Sequence, residues 1–116
     1  MLKKECRLRK QKDFDRVFSA QGRFFAQGPL ALKVVANDQP TSRVGFIVSN
    51  RVSKSAVRRN RTKRLLREAV RLSWGQVRGG ADIALMARAD LSDQKLATVA
   101  PAVDSLLKKS GLLVSK

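Results

Sequence analysis

No acidic residue occurs between Asp38 and Glu68, yet the second half of that stretch has the apolar spacing of a helix. On a wheel of about 100° per residue, Thr62, Leu65, Leu66, Ala69, Val70, Leu72 and Ser73 fall on one arc. Asn60, Lys63, Arg64, Arg67 and Arg71 fall on the opposite arc. The spacing predicts a long helix from about Ser55 to Trp74, with an apolar stripe for a core and a cationic ridge along its outer side. Like charges four residues apart disfavour an isolated helix by roughly 0.2–0.5 kcal/mol per pair. Lys63–Arg67 and Arg67–Arg71 both carry that penalty, and only Glu68 interrupts the run. An ordinary solvated face would interleave acids. A row of phosphates explains the stripe better, because the guanidinium fork matches phosphate and Arg outnumbers Lys here.

The whole chain repeats the bias. Its 116 residues hold 25 Lys and Arg against 9 Asp and Glu, a formal net charge of +16. A domain so unbalanced calls for a polyanion: nucleic acid, an anionic membrane surface or an acidic protein. Membrane binding fits poorly, since the face opposite the ridge is flanked in sequence by strand-like segments and is better used as core. There is no stretch approaching a membrane span. Residues 1–12 are charged and lack the apolar run of a secretory signal, so the chain reads as soluble and cytosolic. Cys6 is alone and there is no His, which removes internal disulfides and the common zinc sites. General acid–base chemistry has no evident agent either, because the carboxylates are scattered.

Around the basic segment the chain reads as one domain over 1–116. A basic N-terminal arm, 1–10, is expected to be mobile. Phe14, Val17 and Phe18 share a helical face near 11–20, with Gly22 as a stop. Arg23 to Ala26 and Leu30 to Ala36 read as strands split at Gly28-Pro29. The turn residues 37–40 predict that the next strand, Arg43 to Ser49, pairs antiparallel with 30–36. That strand is apolar on both faces and is expected to be central. Asp82 to Ala87 is a further strand. A last helix is placed near 98–109, with Pro101 in its first turn and Gly111 after it. The order α-β-β-β-α-β-α predicts an α+β fold, helices packed on one small sheet. The pattern alone does not decide between RNA and DNA; a sheet plus a basic helix, with few aromatics, suits a protein that reads shape and backbone rather than sequence.

The segment from Lys54 through Ala56-Val57-Arg58-Arg59-Asn60-Arg61-Thr62-Lys63-Arg64 to Arg67 closely resembles the signature of the bacterial ribonuclease P protein component. The similarity extends upstream to Arg7–Lys10, Asp13-Phe14, Val17-Phe18, Gly22 and Val44–Ser49. Downstream it takes in Asp82–Arg88 and Leu106–Lys109, so it spans nearly the whole chain. This resemblance implies a two-layer α+β sandwich of a small mixed sheet with helices. It also implies a left-handed βαβ crossover, as in the second domain of ribosomal protein S5.

The resemblance further implies the protein subunit of a ribonucleoprotein endoribonuclease that matures the 5′ end of precursor tRNA. In that family the RNA carries the chemistry with Mg²⁺, and the protein assists binding; no catalytic side chain, protein-held metal or protein partner is implied. Lys54, Arg58, Arg59, Asn60, Arg61, Lys63, Arg64, Arg67 and Arg71 are the residues expected at the catalytic RNA. Phe14 and Phe18, with Lys33 and Arg88, are expected to line a cleft for the precursor's 5′ leader; plain core packing is the competing reading for the two rings. Lys33 departs from the aromatic that family members often carry. The alternative function is a non-catalytic structural RNA-binding protein, ribosomal or chaperone-like.

Overall fold

The computed structural model describes residues 3–113. Ser55 starts the long helix by accepting a hydrogen bond from the Arg58 amide at 3.3 Å, the side-chain cap that helix N-termini favour. The helix, α2, covers Ala56–Ser73 and buries Thr62, Leu66, Ala69, Val70 and Ser73. Before it come α1 (Gln11–Val17), β1 (Arg23–Gln27), β2 (Leu30–Ala36) and β3 (Arg43–Ile47). After it come β4 (Ala81–Ala87) and α3 (Leu96–Lys109). The element order and the α+β class match the sequence reading.

The four strands lie in the order β1-β2-β4-β3. β2 pairs antiparallel with β1 and β4, and β3 runs parallel to β4. The sheet is therefore mixed, and α2 is the crossover of a β3-α2-β4 unit. Two expectations are corrected here. β3 does not pair with β2, and it is an edge strand, not a central one. β4 takes the centre because it is buried along almost its whole length on both faces, whereas β3 begins with a half-buried Arg43. The connection over 37–42 could reach about 20 Å extended, enough to pass over one intervening strand.

Ile83, Leu85, Leu30, Leu32, Val34 and Val44 face α2 and α3 and form the main core with Leu66, Val70, Val103, Leu106 and Leu107. On the other face a smaller core of Leu8, Val17, Val35 and Ala84 lies with Phe14 and Ile47. The N-terminal arm joins both cores, Cys6 the main one and Leu8 the second, which corrects the expectation of a mobile segment for residues 3–10. Leu8 is buried and donates its amide to the Val44 carbonyl at 3.0 Å, and Arg7 bridges β3 in parallel at Val44. The arm thus occupies the open edge of β3, as sheet edges require.

α3 begins at Leu96, so Pro101 stands in its second turn, later than expected. The apolar stripe Leu96, Val99, Ala100, Val103, Leu106 and Leu107 packs on the main core, and burying its first member draws the helix start back. Leu72, assigned to the apolar arc of α2, is 56% exposed, because the arc is narrower than the wheel suggests and centres on Leu66 and Ala69.

One buried charge organises the α1 side. Asp82 has no solvent exposure and accepts from Arg43 Nε and Nη2 at 2.8 and 2.6 Å, from Arg16 Nη2 at 2.7 Å and from Asn37 Nδ2 at 2.9 Å. Arg43 also reaches Asp13 at 3.4 Å. Burial by itself raises the Asp82 pKa, but the donors from Arg43, Asn37 and Arg16 outweigh it and hold the carboxyl below its ordinary value. α1, β2, β3 and β4 meet at this carboxylate.

Candidate nucleic-acid interface

Four residues of the predicted ridge, Asn60, Arg64, Arg67 and Arg71, are exposed, and the fifth, Lys63, is half-buried. With the opposite side of α2 locked into the core, Asn60, Arg61, Arg64, Arg67 and Arg71 stand exposed. Arg71 is joined at 3.0 Å to Glu68, the only acid on the helix. Lys54 is exposed just before the N-cap. Lys63 and Arg67 mark the flank nearest the sheet, where the Arg67 guanidinium lies 5.7 Å from the Phe46 ring centre. They line a cavity of about 490 Å³ together with Arg7, Arg9, Phe14 and Phe46. Basic groups of the arm and of the ridge therefore converge on one aromatic-floored hollow.

Arg58 and Arg59 are placed differently from the rest. Arg58 donates from Nε to Asp90 at 2.6 Å and from Nη2 to Asp93 at 2.7 Å, tying α2 to the loop after β4. The bond from Arg58, helped by Ser92, holds the Asp90 carboxyl well below its ordinary value. Arg59 donates to the Ser53 carbonyl at 2.8 Å, which folds it back on the turn before the helix. Sequence spacing could not reveal the contacts of Arg58, since its partners lie more than 30 residues away.

The second predicted group lies on the α1 face of the sheet. Strand register aligns Gly45, Ala84, Lys33 and Phe24 in one row across all four strands. The Phe14 ring lies on Gly45: a β-carbon there would stand 2.2 Å from it. Only a glycine lets the ring settle on the sheet. Further along the row the Lys33 ammonium sits 5.6 Å from the Phe18 ring centre and donates to the Phe18 carbonyl at 3.4 Å. Arg88 stands just beyond the end of β4 and donates to the Gly28 carbonyl in the β1–β2 turn at 2.7 Å. Phe14 is half-buried against the small core, whereas Phe18 is 41% exposed. The structure thus brings Phe14, Phe18 and Lys33 to one face, half covered by α1, with Arg88 at the neighbouring β1–β2 turn. Sequence reasoning did not single out Phe24, Ile47 or Met86 of this face. Their signal was the alternation within each strand, which becomes a surface only once the register is known.

Among the described residues no three His, Cys, Asp or Glu side chains gather as metal ligands, and no helix is long and apolar enough to cross a membrane. Residues 2–111 match the family model described as Ribonuclease P. A curated relative in Caldanaerobacter subterraneus subsp. tengcongensis, named ribonuclease P protein component, is 34% identical over 116 residues, covering 100% of this chain and 98% of its own length. Another of the same name in Pelotomaculum thermopropionicum is 40% identical over 103 residues, covering 89% of this chain and 90% of itself. Among solved structures, the RNase P protein from Thermotoga maritima superposes with a TM-score of 0.78 at 31% identity, over 89% of this chain and 96% of that one. The Staphylococcus aureus RNase P protein gives 0.81 at 25% identity, over 93% and 97%.

Proposed function

The chain belongs to the ribonuclease P protein family, and from that footing we propose that it is the protein subunit of the ribonucleoprotein that cleaves the 5′ leader from precursor tRNA. The observation that carries this reading is the exposed cationic edge of α2, set back to back with Leu66, Ala69 and Val70 in the core. A helix anchored on one side and lined with guanidinium groups on the other holds its charges at fixed spacing for a phosphate backbone. In this reading Lys54, Asn60, Arg61, Lys63, Arg64, Arg67 and Arg71 face the catalytic RNA. Arg58 and Arg59 brace the start of α2 so that the ridge is presented in one orientation.

The α1 face of the sheet takes the single-stranded leader. Phe14 and Phe18 offer rings to unstacked bases, and Lys33 and Arg88 neutralise the backbone beside them. The hydrolysis itself is assigned to the RNA and its Mg²⁺. Among the described residues no three His, Cys, Asp or Glu side chains gather where they could hold that ion. The protein's own contribution is to bind, orient and neutralise. Its compartment in this reading is the cytoplasm, where precursor tRNA is processed.

Reconstitution tests the assignment. Added to its cognate RNA at low Mg²⁺, the folded protein is expected to stimulate precursor-tRNA cleavage. RNA binding without stimulation would favour the alternative, a structural RNA-binding protein.

A further inference from the structure

Four large apolar side chains among the described residues are exposed, and two of them, Phe18 at 41% and Phe24 at 57%, border the same lysine. Lys33 is paired across the strands with Phe24, so their side chains stand on one face with β-carbons about 5 Å apart. Its ammonium lies over the Phe18 ring. Gly22 makes this placement possible. A β-carbon at Gly22 would come within 3.1 Å of the Lys33 Cε and 1.9 Å of the Val17 carbonyl oxygen, so the bare turn leaves the lysine stem its path. The result is an aromatic, cationic, aromatic sequence at the outer margin of the sheet. The next row, Ile47, Met86, Ala31 and Ala26, adds apolar floor and no acid.

We propose that Phe24, with Lys33 and Phe18, forms a nucleotide site at the β1 margin of the sheet, in which the Phe24 ring stacks on a base of single-stranded RNA and Lys33 holds its phosphate. The occupant follows from charge and continuity. The site has a cation at its centre, and it continues the row that begins with Phe14 on Gly45. A strand entering beside Phe14 and crossing the sheet reaches Phe24 after about 14 Å, three inter-strand spacings. The site therefore captures a leader nucleotide farther from the ridge than those at Phe14. This inference rests on the leader-binding reading above.

The test uses the holoenzyme reconstituted with its cognate RNA, and measures affinity for precursor tRNAs with leaders of graded length. Phe24→Ala is expected to weaken binding about tenfold for long leaders and to leave the shortest ones unchanged. Phe24→Trp should preserve long-leader affinity, and Phe24→Leu should behave as Phe24→Ala. A 2-aminopurine scanned through the leader should show one position whose quenching depends on an aromatic residue at 24. Circular dichroism of each variant guards against misfolding. If wild-type protein shows the leader-length dependence and Phe24→Ala keeps all of it, the site at Phe24 is refuted while the leader reading survives. If wild-type protein shows no leader-length dependence, both fall. Long-leader affinity retained by Phe24→Leu would also overturn stacking.

Discussion

Arg43 grips Asp82 with Nε on one carboxylate oxygen and Nη2 on the other, at 2.8 and 2.6 Å, across two neighbouring parallel strands. Breaking a buried pair from one side is strongly destabilising because it leaves a charge without its partner. Arg16 and Arg43 partly reach solvent, so the low end of the usual range applies. Asp82→Ala is expected to lower unfolding free energy by about 3 kcal/mol, read from the denaturant midpoint at constant slope. The same carboxyl makes stability depend on pH. Its folded pKa is lowered, so its contribution is complete above its ordinary value of 3.8 and is lost as pH falls through the folded value. The stability gap between wild type and Asp82→Asn should therefore be widest above pH 4 or so and narrow in acid; a gap that widens in acid would reverse the assignment.

Gly45→Ala tests the seat of Phe14. The new methyl would stand 2.2 Å from the ring and 2.9 Å from the Leu8 carbonyl oxygen, so ring and arm must both give way. A loss of about 1–3 kcal/mol is expected, seen as a lowered Tm. Affinity for leader-bearing precursor should fall with it, since the displaced ring is one of the proposed stacking surfaces.

The ridge and its brace should separate by experiment. Removing exposed Arg64 and Arg67 by alanine is expected to flatten the slope of log K against log salt by about 1 per residue, with little change in thermal stability. Arg58→Ala should do the opposite, lowering stability through the loss of Asp90 and Asp93 and changing the slope less. Equal slope changes for all three would show that Arg58 meets RNA as directly as the others.

Two leucines of α2 should differ sharply. Leu66 has no exposure and sits in the main core, so Leu66→Ala should lower stability by about 2–5 kcal/mol. Leu72 is exposed, and Leu72→Ala should stay within about 0.5 kcal/mol. Urea titrations of the two variants, run side by side, measure the contrast.

What could be read from the chain was local. The start of the helix near Ser55, the apolar stripe through Leu66 and Ala69, and the span of β2 depend on signals within a few residues, and the structure reproduces each. The cationic side of α2 follows from the same spacing. What could not be read was pairing over distance. Turn chemistry at 37–40 correctly marks a reversal, but it does not reveal that β4, some 40 residues later, inserts between the two strands. The ties from Asp82 to Arg16 and from Arg58 to Asp93 join residues whose nearness is a product of that topology. The open sheet face was legible only in part for the same reason: Phe18 and Lys33 have suggestive types, but Phe24 becomes their neighbour through register alone.

The place of β4 in the sheet also governs how the chain acquires its shape during synthesis. The strand that joins β2 to β3 is the last of the four to be made. A nascent polypeptide halted before Ala81 holds a hairpin and a separate strand with its helix, each presenting an unsatisfied edge, and Asp82 is not yet there to draw the arginines together. Such non-local closure is slow and leaves fragments exposed to association. Resistance to proteolysis should then arrive late and in one step, once β4 and also α3, which brings Val103, Leu106 and Leu107 to the main core, have left the ribosome.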